Sequence, residues 1–387
     1  MNKANLTHRL LWYFIKHSYA IYLRVLFKVK IKRHKKPPKK GGFLLVANHA
    51  NRHDPFIIGG YIYTPVNYMA NVDGVGGFQK AFSTKIGCFN IKKGRADKSA
   101  FIEAINLLKK GYTVGIFPEG DRSWLGETAE FSSVTVSLAK KTKTPILMAR
   151  SEGNYLSCPR WSEKARRGNI FIEFDVISKD EIIKMSKDEI YKKVYDFIYT
   201  DDFENEKLSK IEYKGKDLAV GINNLLWRCP NCNAEDHIIG EGNNILCKSC
   251  NTKFPIDGNL RVSYSENILT KKGIKNIKDW YNWQINFMNK DNFELLEDTE
   301  VEFIRETGEN QWESLGKGVL QLTKKGLKWD ENNKKYSLLF SLDEIMNIVD
   351  NFNEYSILNL NTDRYRFFSN KTCSYKWTSQ LNKLKNS

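Results

Sequence analysis

The distribution of hydrophobic and polar positions divides the chain into regions of different character. Between residues 41 and 215, short apolar runs alternate with longer stretches that predict helices. The apolar runs predict buried strands at residues 43–47, 113–117, 145–149 and 170–174. The intervening stretches predict helices at residues 56–64, 100–110, 131–141 and 186–199. Strands and helices in alternation are typical of an α/β domain with a mostly parallel sheet.

The pattern changes after this domain. Residues 222–262 contain paired cysteines, residues 263–295 are polar and aromatic, and later residues form short strand-like runs separated by turns and closed by a helix. We therefore expect five segments in the chain. They are an N-terminal segment (1–40), the α/β domain (41–215), a cysteine segment (222–262), a partly helical linker (263–295) and a small β domain (296–387).

The first 40 residues combine an apolar segment with a basic one. Wound as a helix, Arg9 to Lys28 places its basic residues on one stripe and its aromatic and aliphatic residues around the rest. This pattern is typical of a helix lying in a membrane interface, where the eight lysines and arginines of residues 28–40 would contact anionic lipid. The alternative is an amphipathic helix packed on its own domain, followed by a solvated basic run. Charged residues within residues 10–27 argue against a membrane span.

The length and charge of the chain limit the number of domains and the kind of binding partner only partly. A chain of 387 residues favours two or three domains, and a formal net charge of +16 favours anionic partners. Nucleic acid, acidic lipid and an acidic carrier protein all fit this charge. Four of the seven cysteines form two Cys-x-x-Cys pairs, which indicates a metal site in a reducing compartment and not a disulfide framework.

The paired cysteines have the spacing of a structural zinc ribbon, because two tight turns supply four soft ligands and leave no position for catalytic water. The predicted ligands are Cys229, Cys232, Cys247 and Cys250. Asn233 and Asn251 follow the two pairs, at positions where such turns favour a positive φ. The alternative is four free thiols. Residues 222–262 lack a dense basic and aromatic face, so nucleic acid is not expected as a partner and a spacer or protein-contact role fits better.

A histidine and a carboxylate follow the first predicted strand. His49 lies directly after residues 43–47, at the carboxyl end of a strand, where open α/β sheets bind their ligands. Pro55 disfavours helical geometry at Asp54, so Asp54 is expected to cap the next helix, within reach of His49. A carboxylate on one ring nitrogen supports proton uptake by the other. The alternatives are a carboxylate that only caps its helix, a histidine that is only a polar loop residue, and His53 as a rival.

Two further loops carry groups suited to binding a phosphate. The loop after residues 113–117 contains Glu119, which could orient the loop, and Arg122, whose planar guanidinium matches a phosphate. Residues 87–95 place three cations around a glycine. Taken singly, each loop could equally be an ordinary turn or a solvated basic segment.

Together, these segments resemble the glycerolipid acyltransferase family that includes 1-acylglycerol-3-phosphate acyltransferases. The family's N-H-x-x-x-x-D motif is matched by Asn48, His49 and Asp54. Its F-P-E-G-x-R-S motif is matched at Phe117, Pro118, Glu119, Gly120, Arg122 and Ser123. The resemblance covers roughly residues 5–215.

The chain departs from the family pattern at three places, one of which is the fourth motif, where Met148 and Ala149 replace the later proline. In the motif that joins a glycine to an arginine through an apolar stretch, Gly87 and Ile91 fit, but Lys93 occupies the place of the arginine and Arg95 follows two residues later. Asp121 stands where threonine is common. These departures concern the acceptor more than the catalytic pair.

The resemblance implies a direct acyl transfer used in phospholipid biosynthesis. His49 would deprotonate the hydroxyl of a lysophospholipid, and Asp54 would orient His49. The acyl group would come from acyl-CoA or acyl carrier protein. Arg122, with Lys93 or Arg95, would hold the phosphate of the acceptor, most simply 1-acylglycerol 3-phosphate, to give phosphatidic acid. Ser123 as an acyl-enzyme nucleophile is a lesser alternative, and another lysolipid or a polyol is an alternative acceptor.

The last segment loosely resembles a pleckstrin-homology or GRAM-type barrel. That resemblance implies a contact with anionic lipid, with Lys324, Lys325 and Lys328 as candidates, although a barrel that only packs on the enzyme fits equally. We expect a peripheral enzyme on the cytoplasmic face of a membrane. The alternative from another class is an adaptor that binds nucleic acid or protein through the zinc ribbon and the β domain, with a degenerate acyltransferase scaffold.

Overall fold

The structure is a computed structural model. It describes residues 6–38, 42–71, 77–92, 94, 97–162, 164–264, 267–287, 295–308, 311–333, 335–351, 355–369 and 373–385. The chain forms two compact units. The first comprises residues 1–92 and 96–215, and the second comprises residues 93–95 and 216–387.

The first unit contains a mixed sheet flanked by helices. The strands described are β1 (Lys30–Arg33), β2 (Leu44–Ala47), β3 (Val66–Ala70), β4 (Phe89–Asn90), β5 (Thr113–Ile116), β6 (Ile146–Glu152) and β7 (Phe171–Ile177). The helices described are α1 (Leu6–His17), α2 (Tyr19–Leu26), α3 (Asp54–Gly59), α4 (Gly77–Lys85), α5 (Lys98–Lys109), α6 (Val134–Thr142), α7 (Asn154–Ser157), α8 (Lys179–Lys184), α9 (Lys187–Ile198) and α10 (Glu206–Ser209).

The strand order of this sheet is β1-β7-β6-β2-β5-β3-β4. Among the described strands of this sheet, only β6 and β7 pair in an antiparallel manner, which confirms the prediction of a mostly parallel sheet in an α/β domain. Alternate residues of β2 enter two different cores. Leu45 packs with the cluster that contains Trp12, and Leu44 packs with the cluster that contains Ile190. The sheet is therefore buried on both faces, which explains why its strands are continuous apolar runs.

The N-terminal segment differs from the single helix predicted for residues 9–28. The chain forms two helices that meet at Ser18, whose hydroxyl donates to the carbonyl oxygen of Phe14 at 2.7 Å. Trp12 and Phe27 are buried in the core of the unit. Trp12 of α1 and Leu23 of α2 lie in one buried cluster with Leu45 and Tyr68 of the sheet, while the opposite faces of both helices remain exposed. In the basic segment that follows, β1 pairs in parallel with β7.

The second unit contains the cysteine segment and an antiparallel sheet. After a 3₁₀ turn at Ile222–Asn224, its described strands are β8 (Ile238–Glu241), β9 (Asn244–Cys247), β10 (Lys253–Pro255), β11 (Leu296–Gly308), β12 (Gln311–Thr323), β13 (Gly326–Glu331), β14 (Ser337–Ser341), β15 (Ile345–Asn351), β16 (Tyr355–Leu360) and β17 (Arg364–Phe368). Its described helices are α11 (Ile268–Lys271), α12 (Ile277–Asn286) and α13 (Ser374–Lys385).

The stretch predicted as a linker is packed into this unit. The Asn276 side chain accepts a hydrogen bond from the backbone of Asp279 in a capping box, which starts α12. Trp280 is fully buried, and its ring centre lies 5.0 Å from that of Phe254 in the cysteine segment. Trp280 and Tyr281 belong to the buried face of this helix, and sequence composition alone had not indicated this.

The larger sheet of the second unit has the strand order β14-β13-β12-β11-β17-β16-β15, with antiparallel neighbours. Its core includes Trp329 and Trp377, the latter from α13. The strand-like runs and the final helix predicted from the sequence are present, and β15 is an addition. The pleckstrin-homology or GRAM-type barrel stays a prediction.

Candidate functional site

Three loops of the first unit meet at one edge of its sheet. β2, β5 and β6 are parallel neighbours, so their carboxyl ends lie together. The loops that follow contain residues 48–53, 117–123 and 153. This is the edge at which α/β sheets bind ligands, and it brings together two loops that the sequence analysis treated separately.

His49 and Asp54 form a direct pair at this edge. The Nδ1 atom of His49 lies 2.8 Å from Oδ2 of Asp54, whose side chain is fully buried, whereas 19% of the His49 side chain is exposed. A carboxylate accepts hydrogen bonds, so it fixes the proton on Nδ1 and leaves the Nε2 lone pair available. The geometry is that of a histidine prepared to act as a general base.

The Asp54 carboxylate is held by four donors. Its Oδ2 accepts from His49 and from the backbone N–H groups of Ala50 and Asn51, both at 2.9 Å. Its Oδ1 accepts from the Nδ2 atom of Asn154 at 2.5 Å. The helix begins at Asp54 with His53 as its N-cap, so the carboxylate turns back toward the loop instead of capping the helix.

Phe117 and Glu119 hold His49 from the second loop. The rings of His49 and Phe117 are stacked, with centres 4.2 Å apart. The Glu119 carboxyl group accepts the backbone N–H of His49 at 2.6 Å and that of Ala129 at 3.0 Å. Burial raises the pKa of Glu119 to about 8, despite these donors. Glu119 therefore links two loops and acts on His49 through the backbone.

The remainder of this loop, which contains Arg122, is joined to the His49 loop through Ser123. The backbone N–H of Ser123 donates to the carbonyl oxygen of His49 at 2.8 Å, and the Ser123 hydroxyl donates to the carbonyl oxygen of Glu127 at 2.8 Å. Ser123 thus stabilises the turn, which disfavours its alternative role as a nucleophile. Gly120 has a φ of +77°, a conformation that favours glycine. Burial, followed by the charge of Arg160, lowers the pKa of Arg122.

The rival histidine, His53, is engaged elsewhere. Its Nδ1 lies 2.8 Å from the Tyr19 hydroxyl, and its Nε2 accepts from the Nε atom of Arg52 at 3.3 Å. Burial and the charge of Arg52 lower the pKa of His53 to about 4. Both ring nitrogens are therefore occupied, and the geometry favours His49 as the base.

The other predicted site residues have different positions. The Asn48 side chain donates to the carbonyl oxygen of Ser151 at 2.9 Å and accepts its N–H at 2.8 Å, so it joins β2 to β6. Pro118 is half-buried between Phe117 and Glu119. Lys93 and Arg95, predicted to hold a phosphate, lie outside the described residues.

Sequence analysis missed Asn154 and Arg160. Asn154 contacts Asp54 across 100 positions, and Arg160 binds the loop of Arg122. β6 extends to Glu152, three residues past its predicted end, so the polar residues that follow it also lie at the carboxyl edge of the sheet. Asn154 and Arg160 could have been found from the sequence only if the end of β6 had been predicted at Glu152.

The four cysteines of the two Cys-x-x-Cys pairs converge. Their sulfur atoms all lie within 4.8 Å of one another. Two of the separations, Cys229 to Cys250 and Cys232 to Cys247, are 3.8 Å. A Zn–S bond of about 2.3 Å requires tetrahedral edges of about 3.8 Å, so this donor set fits zinc. Positive φ at the two asparagines after the pairs, 62° and 57°, confirms that prediction.

Part of this chain is similar to known acyltransferases. Residues 28–150 match the acyltransferase family model. A 1-acyl-sn-glycerol-3-phosphate acyltransferase of Borreliella burgdorferi is 32% identical over 116 residues, which are 28% of this chain and 45% of that protein. The corresponding Bacillus subtilis protein is 27% identical over 146 residues, 36% of this chain and 70% of that protein.

The matched part of this chain thus spans less than half of the Borreliella protein. The crystal structure of the 1-acyl-sn-glycerophosphate (LPA) acyltransferase PlsC from Thermotoga maritima has a TM-score of 0.42 and 22% identity, and covers 51% of this chain and 81% of that chain. The family match covers β2, β5 and the loops that carry His49, Asp54 and Arg122. Residues 28–150 of the α/β unit thus match an acyltransferase family model, and part of the chain is similar to two 1-acyl-sn-glycerol-3-phosphate acyltransferases.

Proposed function

We propose that this protein is an O-acyltransferase that moves an acyl group from acyl-CoA or acyl carrier protein to the free hydroxyl of a lysophospholipid. The observation that carries the proposal is the 2.8 Å contact between His49 and Asp54 at the carboxyl edge of the sheet. That contact orients a partly exposed imidazole at the edge of the sheet that also carries the loop of Arg122, a combination suited to a hydroxyl near a phosphate.

The reaction follows from the positions of these groups. Nε2 of His49 takes the proton of the acceptor hydroxyl, and the oxygen forms an ester bond with the thioester carbonyl carbon. The carbon–sulfur bond breaks, and the proton held by His49 goes to the departing thiolate. Asp54 stabilises the imidazolium that exists between these two transfers.

For the acceptor, we propose 1-acylglycerol 3-phosphate, which would give phosphatidic acid. The names of the two relatives support this choice. Arg122 supports it physically, because a guanidinium binds a phosphate through two parallel hydrogen bonds. In this proposal Lys93 or Arg95 supplies the second cation.

The function can be tested with purified full-length protein. Labelled acyl-CoA and acyl carrier protein are each incubated with 1-acylglycerol 3-phosphate, glycerol 3-phosphate and uncharged lysolipids. We expect turnover with 1-acylglycerol 3-phosphate, and loss of that turnover in His49→Ala. Absence of turnover with every acceptor would contradict the proposal, and would favour the adaptor alternative.

We also propose that the enzyme acts at the cytoplasmic face of a membrane, as a peripheral protein. Large apolar side chains are exposed on α1 and α2, including Leu10 (62%), Phe14 (69%) and Val25 (75%). Leu10 and Phe14 are four positions apart and share a helix face. Among the described residues, the helices are too short or too polar to cross a bilayer. The exposed face and the basic residues around it support adsorption to anionic lipid.

Substitution tests this surface better than deletion, since removing α1 and α2 would also remove core residues such as Trp12. We expect the Leu10→Ser and Phe14→Ser double variant to bind vesicles of anionic phospholipid at least ~10-fold more weakly, because two large apolar side chains no longer leave water. Ile102→Ser with Ile183→Ser, two exposed positions on other helices, is the matched control. Equal co-sedimentation of both double variants would contradict the proposal.

The cysteine cluster is proposed to hold one structural zinc ion. Four thiolates fill a tetrahedral shell, so the ion would stabilise the turns at residues 229–232 and 247–250 and would not activate water. The proposed acyl transfer therefore has no chemical step that involves this metal.

A further inference from the structure

Asp121 lies between two arginines in the loop beside His49. Its Oδ2 atom is 2.6 Å from Nη1 of Arg160, and its Oδ1 atom accepts the backbone N–H of Arg122 at 2.9 Å. Both oxygens of this carboxylate are thus engaged. One of them pairs with the guanidinium of Arg160, which lies 39 positions further along the chain.

Arg160 is rigidly held where it meets this loop. Only 1% of its side chain is exposed, and its guanidinium carbon lies 4.3 Å from the ring centre of Trp124. The nitrogen that pairs with Asp121 also donates to the carbonyl oxygen of Arg122 at 2.9 Å. Arg160 therefore contacts both residues 121 and 122, and its stacking on Trp124 restricts its position.

The charges of this group determine which arginine can take a ligand. Arg122 is half-buried near the cation of Arg160; desolvation and, after it, this cation lower the pKa of Arg122, whereas the Asp121 carboxylate raises it. A carboxylate next to a guanidinium is the natural competitor of a phosphate for the same donors. Here that carboxylate is occupied by Arg160, so Arg122 can serve another anion.

We propose that Arg160 is a positioning residue which, by binding Asp121 and the Arg122 carbonyl, keeps the Arg122 guanidinium available for a phosphomonoester. That the phosphomonoester belongs to the acyl acceptor rests on the proposed function. Arg160 itself acts through its neighbours and does not touch the acceptor.

This arrangement makes the two substitutions at residues 121 and 160 interdependent. In Arg160→Met the Asp121 carboxylate loses the cation of Arg160 and can turn to the Arg122 guanidinium, where it competes with phosphate. In the double variant Arg160→Met with Asp121→Asn that competitor is gone, so phosphate binding recovers. If Arg160 only supported the fold, the double variant would be at least as impaired as the single one.

The test measures KM and kcat for 1-acylglycerol 3-phosphate, and the Kd of glycerol 3-phosphate by calorimetry, on the full chain. We expect Arg160→Met to raise KM and Kd about 10-fold or more, with kcat within about 2-fold. The double variant and Asp121→Asn should stay within about 3-fold of wild type. Arg167→Met, at an exposed arginine nearby in sequence, is the matched control.

The outcomes separate this inference from the proposed function. An unchanged KM and Kd in Arg160→Met, or a double variant as impaired as the single one, would overturn the inference while wild-type turnover stands. The expected Kd pattern without turnover would support the inference and contradict the proposed function. If Arg160→Met fails to fold by thermal melting, Arg160→Lys decides: it retains a charge for Asp121 and should keep KM within about 3-fold, and a 10-fold rise would contradict us.

Discussion

The cysteine cluster and the His49 loop bring their reactive side chains together in two different ways. The cysteines come from two turns of four residues, held by backbone hydrogen bonds near the turns themselves, such as Asn233 to Cys229. His49 and Asp54 are held by Glu119 and Asn154, which lie 70 and 100 positions from their partners. The cysteine cluster is formed by residues close in sequence, and we propose that an ion completes it. The His49 site is formed by residues that come together only when the strands of the sheet pair.

The largest effect is expected from breaking the local site. Zinc removal by a chelator, or Cys232→Ser, should unfold the cysteine segment, because the apparent free energy of zinc binding in comparable zinc-finger peptides is ~10–16 kcal/mol. Zinc content should fall from one ion per chain, and fluorescence of the buried Trp280 should shift to the red. Cys88→Ser, outside the cluster, is the control. A metal-free protein with an unchanged melting curve would contradict the zinc assignment.

The second effect concerns the base of the dispersed site. His49→Ala should lower kcat/KM by ~10²–10⁴, because a general base contributes about this much. The melting temperature should stay close to that of wild type, since the His49 side chain is partly exposed. His53→Gln is the matched control and should keep most of the activity. Equal losses in both variants would remove the distinction between the two histidines.

A smaller effect tests whether the dispersed site depends on remote contacts. Asn154→Ala deprives the buried Asp54 of one donor, which costs about 1–3 kcal/mol. We expect kcat/KM to fall about 10-fold or more, with a lower melting temperature. Asn106→Ala, at an exposed position of α5, should change neither quantity. Full activity in Asn154→Ala would show that the orientation of Asp54 depends on its own loop.

The smallest effect is a change in acid sensitivity. The pKa of His53 is lowered from 6.5 to about 4, so between these values the unfolded chain binds the proton more readily than the folded chain. Stability therefore falls as the pH drops through this window. Urea midpoints measured from pH 7 to pH 4 should decline less steeply in His53→Gln than in wild type, and parallel curves would contradict the assignment.

The two regions also differ in what their sequences reveal. The spacing of the cysteines and the asparagines after them defines the cluster without any knowledge of the fold, since each turn is a short-range structure. The His49 motif predicted His49 and Asp54 as a catalytic pair only together with the loop at Phe117–Ser123, and that role stays a proposal. The contact of Asn154 with Asp54 could not be predicted from the sequence, because the two residues meet only when β6 lies beside β2.

Similar reasons explain the misplaced elements. The apolar runs that became β2 and β5 were predicted because both faces of the strand are buried. β1 was not predicted because its lysines and arginine gave a charged pattern, and β4 is only two residues long. The break between α1 and α2 depends on Ser18 and on the shape of the core that both helices contact. Neither can be predicted from helical periodicity.

The position of β1 at the edge of its sheet has a consequence for assembly. An edge strand offers unpaired backbone groups to any other strand, and a surface that concentrates protein increases the chance of such encounters. Three of the four residues of β1 are basic, and three are exposed. Two copies that approach edge to edge would bring like charges into contact, so the residues that we propose to bind an anionic surface also disfavour the joining of two sheets.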